Sequence, residues 1–253
     1  MSVMKVKTLS LLIGMVLLAS AAFAASSQPV SYKSGDESVQ GILYIPANAK
    51  GKLPAIVVIH EWWGLNDWVK DEAAKLSDQG YVALAIDLYR GKVAATPDEA
   101  HELMRGLPDD RSLRDLKAAV TYLASRKDVD AKRIGAIGWC MGGGKAAQLA
   151  ANEPRLRAVA INYGSLPADA ASMKVWNAAT LGLFGGKDRG IPPESVQTFA
   201  ATMKKLGKDV QTHIYPESGH AFQNPNNKAG YRADDAADAW KRITDFFAAK
   251  LKG

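Results

Sequence analysis

Residues 133–148 read RIGAIGWCMGGGKAAQ and contain the only cysteine of the chain, Cys140. Arg133 to Gly138 is a short apolar run with strand character. Gly142 to Ala151 is rich in alanine and glycine and stops before Pro154, which suits a closely packed helix. Between them, Gly138-Trp139-Cys140-Met141-Gly142 has the spacing G-x-C-x-G. A strand that turns this abruptly into a helix strains the residue at the turn, and glycines on both sides remove Cβ atoms that would collide. The pattern is the G-x-S-x-G nucleophile elbow with sulfur in place of oxygen. The helix begins directly after Cys140, so its free amides and dipole favour a thiolate and a developing oxyanion. A phosphate loop does not fit: G-x-x-x-x-G-K-[ST] would need glycine where Trp139 stands and a hydroxyl where Ala146 stands.

Outward from the elbow, strand-like and helix-like segments alternate. Pro54–His60 and Tyr81–Asp87 are apolar runs, as expected of strands buried on both faces. Ala158–Tyr163, Thr180–Phe184 and Val210–Tyr215 continue the series. Helical segments are expected over 67–79, 112–126, 192–206 and 231–251. This alternation predicts the α/β class, a mostly parallel sheet with helices on both faces. In such sheets the site lies at the carboxyl ends of the strands. His60, Glu61, Asp87, Tyr89, Arg90, Cys140, Tyr163, Asp188 and His220 all fall there.

The chain has 253 residues, enough for one domain with a large core. Lys5 and Lys7 precede an uncharged apolar run, Leu9–Ala19, and Ala22-Phe23-Ala24 follows. This predicts a secretory signal peptide over 1–24, cleaved after Ala24, leaving 25–253 as a single domain. The protein is then exported, periplasmic or secreted. The apolar run is too short for a membrane span, so no membrane contact is expected after cleavage. The formal charge of +6 becomes +4 without Lys5 and Lys7. The remaining basic residues are interleaved with acids, which excludes a nucleic-acid partner. A single cysteine can form no internal disulfide.

A thiol nucleophile needs a base and a carboxylate that orients it. Asp188, in Gly185-Gly186-Lys187-Asp188, follows one expected strand, and His220, in Gly219-His220, follows the last. Nucleophile, acid and histidine in that order complete a triad. His101 and His213 lie in an expected polar helix and strand. His60-Glu61 starts like a zinc motif, but H-E-x-x-H fails at Gly64, so no metal and no organic cofactor is expected.

His60-Glu61-Trp62-Trp63-Gly64-Leu65-Asn66, Asp87-Leu88-Tyr89, Gly138-Trp139-Cys140-Met141-Gly142-Gly143, Asn162-Tyr163-Gly164, Gly185-Gly186-Lys187-Asp188 and Gly219-His220-Ala221-Phe222 together resemble the dienelactone hydrolase family. The resemblance spans about Tyr32 to Leu251. It implies an α/β-hydrolase fold and hydrolysis of a small-molecule ester or lactone by Cys140, His220 and Asp188 through a thioester. It implies that Glu61 approaches the thiol and keeps it protonated until substrate binds. It places the oxyanion donors at the amides of Met141 and Trp62. Substrate contacts are expected from Arg90, Tyr89, Tyr163, Trp139, Phe222 and Asn224, and the protein is expected to be a monomer. Trp62, Trp63, Trp68, Trp139 and Trp176 point to an aromatic-lined pocket. Lactone hydrolases of the family hold the substrate carboxylate with two arginines. Arg90 stands one place early for the first, and Asn224 occupies the place of the second. A general carboxylesterase or thioesterase, a thiol redox sensor and a non-catalytic binding protein on the same fold are the alternatives.

Overall fold

A computed structural model describes residues 26–47 and 49–253. The expected signal peptide and its cleavage site lie outside the described residues. The chain opens with a hairpin, β1 (Ser26–Ser34) and β2 (Glu37–Ile45), turning at Gly35. Then β3 (Leu53–Ile59), α1 (Asp67–Asp78), β4 (Val82–Ile86), α2 (Pro97–Arg105), α3 (Asp109–Ser125), β5 (Val129–Trp139) and α4 (Met141–Ala150) follow. The second half runs β6 (Leu156–Asn162), α5 (Ala170–Lys174), β7 (Ala179–Gly185), α6 (Pro193–Lys205), β8 (Val210–Tyr215) and α7 (Ala233–Phe247), which closes in a wide π-helical turn at Ala248–Lys252.

The eight strands form one sheet in the order β1-β2-β4-β3-β5-β6-β7-β8. β3 to β8 are parallel; β2 runs against them, and β1, antiparallel to β2, runs in their direction. Successive strand residues face opposite sides of a sheet. Val57 and Ile59 accordingly join the core beneath α3, α4 and α6, with Leu116, Leu149 and Phe199. Ile56 and Val58 join the core beneath α1 and α7, with Leu76 and Ile243. All five residues of β4 are buried, as expected of a strand covered on both faces.

The hairpin was not anticipated. β1 is mostly exposed on an outer edge and carries few apolar residues, so it lacks the apolar run that betrays the central strands. α2 starts with a reciprocal cap: Glu99 N–H donates to Thr96 Oγ1, and Thr96 N–H donates to Glu99 Oε2.

Candidate active site

β5 ends at Trp139 and α4 begins at Met141, leaving Cys140 alone at the turn with φ 53° and ψ −119°. Left-handed backbone of this kind costs a non-glycine residue about 1–3 kcal/mol, so its surroundings must enforce it. The enforcement is tight packing. A Cβ on Gly138 would sit 2.0 Å from the carbonyl oxygen of Gly142, and one on Gly142 would sit 2.4 Å from that of Ile59. Cys140 N–H donates to the carbonyl of Asn162 at 3.0 Å, which ties the elbow to β6. Neither the Met141 nor the Trp62 amide finds a hydrogen-bond acceptor among the described residues. Both are free to donate to a ligand.

Asp188 follows β7 and is 4% exposed. Its Oδ1 accepts the amides of Gly190 (2.8 Å) and Ile191 (3.2 Å), and its Oδ2 lies 2.7 Å from His220 Nδ1. Burial works to raise this carboxyl, but His220 and the two amides outweigh it and hold the pKa below the usual value. The His220 ring leaves Nε2 for Cys140. Burial presses its pKa down, yet the Asp188 bond and then Cys140 push it up to about 10.

Glu61 follows β3 and is 1% exposed. Asn224 Nδ2 donates to its Oε2 at 2.7 Å, and Tyr163 Oη donates to its Oε1 at 3.3 Å. Burial pushes its pKa up to about 7, against the pull of Asn224, His220 and Tyr163. Glu61, Trp62, Cys140, His220, Asn224 and Lys228 line one cleft of about 660 Å³, with Trp63 and Met104 adding apolar wall.

The profile of the dienelactone hydrolase family matches residues 39–251. The chain belongs to the dienelactone hydrolase family. It is thereby a hydrolase of ester or lactone bonds on an α/β-hydrolase fold. It is 32% identical over 241 residues to a protein of Salmonella typhimurium provisionally named a carboxymethylenebutenolidase, covering 89% of this chain and 88% of the relative. A protein of the same provisional name from Methylorubrum extorquens is 34% identical over 211 residues, covering 78% of this chain and 72% of the relative. Among solved structures, a provisionally named dienelactone hydrolase of Klebsiella pneumoniae is similar at a TM-score of 0.81 and 30% identity, covering 89% of this chain and 99% of that one.

Against the family expectation, the six residues expected to touch substrate divide. Asn224 lines the cleft but is spent on Glu61. Tyr163 and Phe222 are wholly buried behind the cleft, ring on ring at 5.6 Å. Trp139 is also buried, against Trp68, and its Nε1–H donates to Gln223 Oε1 at 3.0 Å. Tyr89 donates its hydroxyl to Met141 Sδ at 3.2 Å. Arg90 does not line the cleft: its guanidinium is 2.7 Å from Asp115 Oδ2 and 3.0 Å from Glu37 Oε2. Asp115 is fully buried on α3, so Arg90 is held there as a structural counter-ion. Of the five tryptophans, Trp62 and Trp63 wall the cleft, whereas Trp176 packs on Phe199 in the far core.

Two supports went unseen in the sequence. Asn162 Nδ2 donates to the Gly138 carbonyl at 3.0 Å while its Oδ1 accepts from Gln223 Nε2 at 3.0 Å. Together with Trp139, they lash the elbow to the loop that carries His220. Nothing local in the sequence marks this pair, because Asn162 and Gln223 meet only through the sheet. Among the described residues no cluster of His, Cys, Asp or Glu could hold a metal ion.

Proposed function

We propose that this family member hydrolyses its ester or lactone through a Cys140–His220–Asp188 triad and a thioester acyl-enzyme. The observation that carries the proposal is the left-handed Cys140 at the head of α4, in one cleft with an imidazole whose Nδ1 is held by buried Asp188. Asp188 takes the Nδ1–H, so Nε2 is the nitrogen that accepts the thiol proton. The sulfur attacks the carbonyl carbon, and the oxyanion falls to the amides of Met141 and Trp62. Each such donor is worth about 3 kcal/mol of barrier. The tetrahedral intermediate collapses, the alkoxide takes the proton from Nε2, and a thioester remains. Water, deprotonated by Nε2, then attacks the thioester, and Cys140 leaves as thiol or thiolate. Glu61, buried with a pKa of about 7, is the second proton carrier of the resting site.

A neutral ester is favoured over a carboxylate-bearing lactone as substrate. Arg90 is bound by Asp115 and Glu37, Asn224 is bound by Glu61, the apolar walls are Trp62, Trp63 and Met104, and Lys228, the lysine of the lining, is exposed to water. Export is proposed from the 1–24 segment alone; intact mass of the secreted protein, short of those residues, tests it.

The decisive comparison is hydrolysis of p-nitrophenyl acetate and of a dienelactone by wild type, Cys140→Ala and Cys140→Ser. Activity lost in Cys140→Ala, with an acetyl adduct trapped on Cys140 of the wild type, is expected. Full activity in Cys140→Ala overturns the triad. Turnover of the lactone as fast as the neutral ester overturns the substrate preference.

A further inference from the structure

His60 is the one fully buried histidine, and the triad leaves it without a task. It follows β3 directly and touches the loop that carries Glu61 and Trp62 and the loop that follows β4. Leu88 N–H donates to its Nε2 at 3.2 Å. An imidazole nitrogen that accepts carries no proton, so the hydrogen of the neutral ring is on Nδ1. Nδ1–H in turn donates to the carbonyl of Glu61 at 2.6 Å. Burial lowers the pKa of this ring and keeps it neutral. The ring of Tyr89 packs against it at 4.8 Å between centroids.

The consequence runs through one peptide bond. Among the described residues every peptide bond is trans, so the Glu61 carbonyl and the Trp62 N–H lie in one plane and point in opposite directions. Holding the carbonyl against the buried imidazole therefore turns the Trp62 N–H away from the core. Trp62 lines the cleft with Cys140, and its amide has no acceptor among the described residues. Gly64 N–H reaches the same carbonyl at 3.3 Å, a longer contact than the His60 bond. We propose that His60 is a positioning residue: its Nδ1–H grips the Glu61 carbonyl and so aims the Trp62 amide as an oxyanion donor. This rests on the acyl-transfer reading above, in which Trp62 N–H meets the oxyanion.

Two substitutions separate aiming from simple support. The Asn side chain places its N–H where Nδ1–H lies and can keep the Glu61 bond, while leaving the Leu88 amide unpaired. The Gln side chain reaches the place of Nε2 and can keep the Leu88 bond, while releasing the Glu61 carbonyl. Each variant loses one buried bond, so thermal stability should fall comparably in both. For acylation by p-nitrophenyl acetate, His60→Asn should keep kcat within about threefold, and His60→Gln should lose about ten- to a hundredfold with KM little changed. Equal kcat losses in the two variants, or a loss confined to KM, would overturn the proposal. A measurement on wild type needs no variant to fold: the nitrogen-15 shifts of His60 should show a protonated Nδ1 and a bare Nε2, and the opposite tautomer overturns it. Failure of the acyl-transfer reading looks different, since wild type would then carry no acetyl on Cys140 at all.

Discussion

Glu61→Gln tests the electrostatics of the site without touching the nucleophile. In the unfolded chain this carboxyl titrates near 4.5, and in the folded protein at about 7. Burial is the cause, only partly offset by Asn224, His220 and Tyr163. Between those two values the folded protein retains a proton that the unfolded chain has released. Stability from this group is therefore fully present below pH 4.5 and is lost as pH rises through 7. At about 1.4 kcal/mol for each tenfold change in the protonation equilibrium, the gap amounts to about 3 kcal/mol. Glutamine has no proton to lose. Its Oε1 can still accept from Tyr163, but its amide N–H meets Asn224 Nδ2, whose Oδ1 is already taken by Asn226 N–H at 2.9 Å. The lost bond lowers stability by about 1 kcal/mol at every pH. Urea unfolding of both proteins from about pH 4.5 to about pH 8.5 gives the difference curve. Groups common to both cancel. Wild type should be the more stable at the acid end and Glu61→Gln by about 2 kcal/mol at the alkaline end. A difference that stays flat across the window would refute the buried, raised carboxyl.

In Asp188→Asn, the amides of Gly190 and Ile191 still claim the side-chain oxygen, so the NH₂ group faces His220. Nδ1 must then accept, the proton moves to Nε2, and kcat on p-nitrophenyl acetate should fall by about 10³–10⁴-fold; a loss under about tenfold contradicts the assignment. Gly142→Ala drives a Cβ within 2.5 Å of the Ile59 and His60 carbonyls, which are backbone and cannot swing aside. A stability loss of about 3 kcal/mol follows, seen as a fall in Tm of about 10 °C. Arg90→Ala leaves the buried Asp115 without its counter-ion and should cost about 3 kcal/mol in urea unfolding. KM for a neutral ester should not move; a raised KM with unchanged stability would put Arg90 at the substrate.

Much of the fold is legible because β3, β4 and β7 and the later parts of β5 and β6 are buried on both faces and read as apolar runs. Val210–Tyr215 was placed to the residue. β1 escaped because an exposed edge strand needs no such run, and β2, between β1 and β4, because its exposed half, Glu37–Gln40, is largely polar. At the site, residues fixed by backbone geometry were readable: the elbow glycines, and the strand ends that carry Glu61, Asp188 and His220. Residues whose role depends on where a side chain points were not. Trp139 stands at a strand end, and so looked like a pocket wall. Alternation along β5 puts it on the face of Ile137, in the core beneath α1 and α7, and that parity was a usable signal. Arg90 and Asn224 offered none. Their partners, Asp115 and Glu61, are distant in sequence and meet them only in the folded chain.

In the proposed cycle, the raised pKa of His220 serves the step in which Nε2 takes the thiol proton, and a lower one would serve the step in which water is deprotonated. At rest the ring is pulled up by Asp188 on Nδ1 and by Cys140, against its burial. Acylation of Cys140, as proposed, would remove the second pull, because the sulfur of a thioester is neutral. Asp188 would remain, but the attraction to sulfur would be gone, while burial still presses the ring down. The imidazole would thus give up its proton more readily at the stage where the proposed mechanism has it deprotonate water. Glu61 sits at the other side of the same balance. Its charge favours the imidazolium, and its burial keeps that charge conditional near neutral pH. The desolvation that costs the fold about 3 kcal/mol at alkaline pH is what gives the site a carboxyl able to take up or release a proton where the chemistry runs.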